Sequence, residues 1–114
     1  MSFQYLLDNL RFLQSDVHLA VSSSKELESM LRQLGAEGRG LHQQTTSLEH
    51  TLPNHVQRRL RRVAAQRNRI VHDVDTIELN NRNLFLNDVD TCRSYLQNRI
   101  RQQEGGDANG CLIM

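Results

Sequence analysis

The sequence contains few of the residues that build turns, crosslinks or aromatic clusters. It has no Trp, one Pro and 4% aromatic residues, and its six Gly are concentrated in two places. This composition favours one helical domain over a turn-rich β fold, with a core built from Leu and Val. No apolar stretch approaches the length of a membrane span. The N-terminal residues have no basic region before an apolar run, so we expect no signal peptide.

Metal-binding and disulfide-forming residues are also scarce. The two Cys residues, Cys92 and Cys111, are too few for a disulfide framework, and we expect a reducing, cytoplasmic location. Cys92 falls on a predicted helix and is expected to be a small core residue. The His residues between positions 42 and 55 form no helical i, i+4 pair with a carboxylate partner. The sequence therefore predicts no metal site and no cofactor.

Charge is unevenly distributed along a chain whose formal net charge is only +1. Residues 53–72 contain six Arg and no acidic residue, whereas the rest of the chain contains eight basic and thirteen acidic residues. Arg suits bidentate contacts with phosphate, although the codon usage of a GC-rich genome would also explain why all but one of the basic residues are Arg. A concentrated basic segment in a nearly neutral protein is typical of a local polyanion-binding site.

The segment Pro53–Asp73 is predicted to be a helix. Pro53 suits the first helical position, and apolar residues recur at spacings of three and four. Arg67 lies within this apolar stripe, between Val63 and Ile70. A charge there must be paired, or it must face a cleft or a partner. This local conflict makes Arg67 the first candidate for a functional residue.

The other apolar residues predict three further helices. One long helix from residue 3 to residue 34 is favoured over two helices broken at Ser22–Ser24. A short helix is expected between Leu41 and Leu52. A last helix, capped by Asn87 or Asp88, is expected to end near Gln103. We therefore expect an all-α, four-helix, up-and-down domain over residues 1–103, and a flexible tail over residues 104–114.

Three glycines fall within six residues, at Gly35, Gly38 and Gly40. Such a cluster is able to cradle a phosphate group. However, no strand precedes it, and the Lys-Ser/Thr pair of a P-loop is missing. A loop that caps the C-terminus of the first helix is the favoured interpretation.

Arg67-Asn68 followed by His72 resembles the R-x4-6-H signature of the HEPN family (higher eukaryote and prokaryote nucleotide-binding domains). The resemblance to small bacterial members covers about residues 1–103, including the segments 34–41, 52–53 and 60–64 and the final helix after Phe85. It implies a two-fold homodimer in which the paired motifs line one cleft. It also implies a metal-independent endoribonuclease acting in defence or as a toxin, with RNA as substrate and an antitoxin or regulatory protein as partner.

On this resemblance Arg67 is the phosphate ligand, His72 the acid/base and Asn68 the residue that positions them. RNA cleavage without a metal needs a base, an acid and a cation. One Arg and one His are too few, whereas two copies facing each other suffice. Scarce aromatics argue against base stacking as the basis of recognition. Five further residues are expected to widen the RNA-binding surface, four of them facing outward: Arg69, and the outward-facing Arg58, Arg59, Arg61 and Arg62.

The resemblance departs from one class of HEPN protein. Toxins paired with a nucleotidyltransferase antitoxin commonly carry a Tyr two residues after the His, where this sequence has Val74. Modification of such a Tyr is therefore not expected here.

Three alternatives stay open. The first is a non-catalytic helical module that binds a nucleotide or nucleic acid through Arg67 and His72. The second is a small prenylated adaptor, because the last four residues, beginning at Cys111, match a C-a-a-X signal of the farnesyl class. Membrane contact is expected only if Cys111 is prenylated, and no polybasic signal precedes it. The third is purely structural: His72 caps a helix end and Arg67 pairs with an acidic residue such as Asp88.

Overall fold

The computed structural model describes residues 15–73 and 78–113, with side chains described as far as residue 104. Within these residues the chain forms helices and no strands, namely α1 (Asp16–Gln33), α2 (Gly40–Ser47), α3 (Asn54–His72) and α4 (Arg82–Ile113). The predicted all-α class is confirmed. None of these described helices has both the length and the apolar content that crossing a membrane requires. Predictions for the residues before Ser15, for Val74 and for the Cys111 side chain lie outside the described part of the chain.

Helices α1 and α3 form the centre of the packing. Helix α3 contacts each of the other three helices, and α1 also contacts α2 and α4. The side chains that α3 buries all belong to its predicted apolar stripe: Val56, Leu60, Val63, Ala64 and Ile70. They join one core cluster with apolar residues of α1 and α4, including Leu27, Leu31, Val89, Cys92 and Leu96. Burying a large apolar side chain contributes about 1.5–3 kcal/mol, so this stripe fixes which face of α3 is left to the solvent and to the loops.

Helix α1 begins at Asp16 because Ser15 caps it. Ser15 has an extended backbone, and its side-chain oxygen accepts a hydrogen bond from the His18 N–H at 3.1 Å. The prediction of one continuous helix from residue 3 is therefore wrong, because an N-cap residue satisfies a free N–H only from outside the helix. The serines at 22–24 do not break α1, as predicted, and two of them are buried within it.

Helix α1 ends at the glycine that the sequence indicates. Gly35 has φ +95°, and the N–H groups of Gly35 and Ala36 each donate to a carbonyl of the last turn at 3.0 Å. This pair of bonds is a Schellman motif, in which a left-handed residue lets the chain satisfy the terminal carbonyls. Gly38 and Gly40 also have positive φ, and Gly40 is the first residue of α2.

Helix α4 begins at Arg82, more than a turn before the predicted start. Asn81 caps it, since its Oδ1 accepts a hydrogen bond from the Leu84 N–H at 3.0 Å. The prediction that Asn87 or Asp88 is the cap is wrong. The earlier start places Phe85 in the buried core, and it turns Asp88 from a surface cap into a buried residue inside a helix.

The far end of α4 also differs from the prediction. The helix continues to Ile113, whereas the apolar period ends near Gln103. Glycines lower helix propensity by about 1 kcal/mol each but keep their N–H donors, so they do not stop a helix as Pro does. The apolar period reports which residues pack, and it therefore underestimated how far the helical backbone extends.

Candidate phosphate-binding groove

The basic face of α3 divides into arginines with different partners. The helix begins at Asn54, with Pro53 as its N-cap, and its last turn contains Arg69 and His72. Basic side chains in the last turn of a helix interact favourably with the negative end of the helix dipole. No acidic residue lies within α3, so any carboxylate that pairs with its arginines must come from another element.

Asp88 of α4 supplies such a carboxylate. Its side chain is only 3% exposed, and Arg62 donates to both of its oxygens, from Nη2 to Oδ1 at 2.7 Å and from Nε to Oδ2 at 3.0 Å. The Arg59 Nε lies 3.6 Å from Oδ1. The hydrogen bond with Asp88 raises the pKa of Arg62. Arg62 faces outward as predicted, since its side chain is 51% exposed, whereas that of Arg59 is 28% exposed. Asp88 partly offsets both charges, and a role for either arginine in RNA binding stays a prediction.

This ion pair also removes one structural interpretation of Arg67. Asp88 is engaged by Arg59 and Arg62, so the predicted pairing of Arg67 with Asp88 is wrong. This error arises because the sequence favours a helix-cap position for Asp88, whereas Asp88 lies in the interior of α4. In the structure it lies one turn before the buried Cys92. Burial raises the pKa of the Cys92 thiol to about 12, and the prediction of a core thiol is confirmed.

The remaining arginines predicted to bind RNA make weaker contacts with the rest of the protein. Arg58 is exposed. Arg61 donates from Nη2 to Thr46 Oγ1 at 3.1 Å, which ties α3 to α2. Arg69 donates from Nη2 to the Glu78 carbonyl at 2.9 Å. None of these bonds involves a carboxylate, so the three guanidinium charges are not neutralised by the contacts they make.

Arg67 and Asn68 are brought together at the wall of a groove. Arg67 is half-buried, and its Nη1 donates to Asn68 Oδ1 at 3.1 Å. Among the residues that the structure describes, no carboxylate lies within ion-pair distance of Arg67. This hydrogen bond joins two of the three predicted catalytic residues, and the positioning of Arg67 and His72 by Asn68 stays a prediction. Arg67 is a charged residue within an apolar stripe, and the structure accommodates its charge because Arg67 and Asn68 line the groove.

His72 lies outside this groove. It is the exposed last residue of α3. Five helical residues turn the chain by about 500°, so the side chains of Arg67 and His72 leave the helix about 140° apart. Asn68 and His72 are four residues apart and share a face. Arg67 therefore contacts Asn68, and His72 lies on the same face of α3 as Asn68. Arg67 and His72 of one protomer do not converge on a common site.

The groove has a volume of about 500 Å³, which falls within the size range of sites that hold small ligands. Three helices build it, and its lining includes the side chains of two Arg, one Glu and one His. The contributions are Ser24 and Glu28 from α1, residues 39–43 at the start of α2, and Ala64, Arg67 and Asn68 from α3. The two guanidinium groups outnumber the carboxylate, so the groove carries net positive charge and suits an anion.

Ser24 and Arg39 are among the groove residues that the sequence did not identify. Ser24 is 2% exposed, and its Oγ has no hydrogen-bond partner among the described residues. Arg39 lies in the glycine loop, for which the sequence favours a capping role over phosphate binding. The loop does cap α1, but Gly38 and Gly40 also set the start of α2 against the groove. Three closely spaced glycines leading into a helix were the available signal for this arrangement.

No protein-family model matches this sequence, and no curated protein or solved structure is significantly similar to it. Among the described residues, no three His, Cys, Asp or Glu side chains come together as metal ligands. The chemistry of the groove therefore carries the functional interpretation.

Proposed function

We propose that this protein is a metal-independent endoribonuclease of HEPN type, acting in defence or as a toxin, in which Arg67 binds the RNA phosphate. The observation that carries the proposal is the half-buried Arg67, which faces a groove and has no carboxylate partner among the described residues. Guanidinium donors at a phosphate stabilise the charge that develops during phosphodiester cleavage. Asn68 supports this role, because its Oδ1 holds one donor of Arg67 in place.

The proposed catalytic unit is a two-fold homodimer of four-helix, up-and-down protomers. A single protomer places Arg67 and His72 on different sides of α3, so one copy lacks a complete set of catalytic groups beside the phosphate. Two α3 helices meeting near their C-terminal ends would place both His72 rings and both Arg67 guanidinium groups along one cleft. One imidazole then accepts the proton of the 2′-OH while the other protonates the leaving 5′-oxygen. The products are a 2′,3′-cyclic phosphate and a 5′-OH.

The direct test is cleavage of total RNA by purified protein in EDTA. We expect the wild-type protein to cleave, and we expect Arg67→Gln and His72→Gln to lose activity while they keep the wild-type circular dichroism and mass in solution. Arg101→Gln is a matched control, because Arg101 is exposed on α4 and lies away from the groove. Equal cleavage by the wild type and both active-site variants would identify a contaminating nuclease.

A non-catalytic nucleic-acid-binding module is the second candidate. The position of His72 favours it, because the groove contains Arg67 and Asn68 but not the residue proposed to transfer protons. This candidate predicts salt-sensitive RNA binding that depends on Arg67, with no cleavage by the wild type and no effect of His72→Gln on affinity.

A further inference from the structure

We infer that the groove contains a second phosphate-binding position, at the first turn of α2, which takes a phosphate group of a nucleotide. The inference rests on the proposed function for the class of ligand, which is RNA. It adds residues of α1 and α2 that the Arg67–His72 motif does not contain.

The first observation is that α2 starts at the groove. Residues 39–43 line it, and the first N–H groups of any helix have no acceptor within that helix. Arg39 is the N-cap residue, and its side chain makes no capping hydrogen bond. Gln43 accepts only the N–H of Arg39 itself, at 2.9 Å. Free N–H groups at the positive end of a helix dipole favour an anion.

The second observation is independent of the helix. Ser24 of α1 lines the same groove, is 2% exposed and has an Oγ without a hydrogen-bond partner among the described residues. A buried hydroxyl in this state destabilises the free protein. A phosphate oxygen bound at the start of α2 would accept the Ser24 hydrogen bond and remove that cost. Such a residue therefore points to a missing acceptor in the groove.

The charges of the groove agree with two phosphate positions. Arg39 and Arg67 reach it from the α2 and α3 sides, and Glu28 is the acidic side chain among the described residues that line it. The positive charge of the two guanidinium groups exceeds the negative charge of the one carboxylate. The carboxylate also provides an acceptor for the hydroxyl or amino donors of a nucleotide. A ligand with one phosphate at Arg67 and a neighbouring phosphate at α2 uses both cationic sides.

The test compares two dinucleotides whose ribose is 2′-O-methylated, so that they cannot be cleaved. One is ApA, which has a single internal phosphate, and the other is pApA, which has an additional 5′-phosphate. Calorimetry at low salt should show pApA binding about tenfold more tightly than ApA, as expected for one added charge-assisted contact. AMP and inorganic phosphate serve as competitors against pApA.

Variants separate the two phosphate positions. Arg39→Gln should remove the preference for pApA and weaken ApA much less than it weakens pApA. Arg67→Gln should weaken both ligands and keep their ratio. Ser24→Ala should reduce the ratio of pApA affinity to ApA affinity. Arg101→Gln should bind both ligands with the wild-type affinities. Because Arg39 is exposed and makes no side-chain capping bond, we expect its substitution to leave the fold intact.

The outcomes are distinct. Equal binding of ApA and pApA by the wild type, or an unchanged ratio in Arg39→Gln, would overturn the second position. Competition by inorganic phosphate as effective as that by AMP would overturn the assignment to a nucleotide. If Arg39→Gln abolishes the preference for pApA over ApA while Arg67→Gln leaves the affinity for ApA unchanged, the second position is supported and the proposed function fails.

Discussion

The guanidinium of Arg62 contacts both carboxylate oxygens of Asp88, at 2.7 Å and 3.0 Å, across the packed faces of α3 and α4. With the nearby Arg59, this contact separates the arginines of α3 into two groups. Two of them neutralise a buried carboxylate, and Arg67 faces the groove without a carboxylate partner among the described residues. The basic helix therefore stabilises the fold at one place, and we propose that it binds a phosphate at another.

Asp88→Ala should destabilise the protein. Removing one partner of a buried ion pair costs about 3–5 kcal/mol, but the Arg62 side chain is 51% exposed and regains contact with water. We therefore expect a loss of about 2 kcal/mol in the free energy of unfolding, measured in urea. Asp90→Asn is the control, because the exposed ion pair of Asp90 with Arg93 should contribute less than about 1 kcal/mol. Equal losses in the two variants would contradict the structural role of Asp88.

The Cys92 thiol should be inert in the folded protein. Burial raises its pKa to about 12, so almost no thiolate exists near neutral pH. In a Cys111→Ser background, we expect reaction with a thiol reagent at the rate of global unfolding. Rapid reaction under native conditions would contradict this burial.

The same pKa predicts how stability depends on alkaline pH. The unfolded thiol ionises near its ordinary pKa, while the folded thiol keeps its proton until about pH 12. Between these values the unfolded state binds fewer protons, so the contribution of Cys92 to stability is lost as pH rises. Urea unfolding at pH 8 and pH 10 should show a steeper loss for this protein than for Cys92→Ala.

Ser24→Ala should stabilise the free protein. The substitution removes a buried hydroxyl without a partner, and we expect a gain of about 1 kcal/mol beyond the gain in helix propensity. Ser29→Ala, at an exposed position of the same helix, measures the propensity gain alone. Thermal unfolding without ligand compares the two variants. A loss of stability in Ser24→Ala would show that the hydroxyl has a structural partner.

Two glycine substitutions should differ in cost. Gly35→Ala places a side chain at φ +95° in open space, so the expected loss is about 1 kcal/mol from the backbone alone. Gly38→Ala adds a contact of 2.7 Å with the Gln43 Cβ. It should therefore cost more in urea unfolding. It should also weaken pApA binding by displacing Gln43 at the start of α2, whereas Gly35→Ala should not affect binding.

The sequence predicts local features well where neighbouring residues determine them. The apolar stripe of α3 and the glycine cap at Gly35 depend on near neighbours, and both are present. The cap of α4 was misplaced, because Asn81 and Asn87 have equal capping chemistry and only the burial of Phe85 distinguishes them.

The groove was only partly predictable. Arg67 was identifiable because a charge interrupts an apolar stripe, whereas Asn68 was identified only through the resemblance of this segment to the HEPN signature. The positions of Ser24 and Arg39 depend on how α1 and α2 pack against α3. No periodicity in the sequence reports those contacts.

The most direct test of Arg67 as a phosphate ligand is the salt dependence of binding to an uncleavable 2′-O-methyl RNA oligonucleotide. For single strands, each neutralised phosphate contributes about −0.7 to the slope of log K against log salt concentration. We expect Arg67→Gln to bind more weakly, with a slope smaller in magnitude by about 0.7. Arg101→Gln should keep the wild-type affinity and slope. An affinity and slope for Arg67→Gln equal to those of the wild type would contradict the assignment of Arg67 to the RNA phosphate.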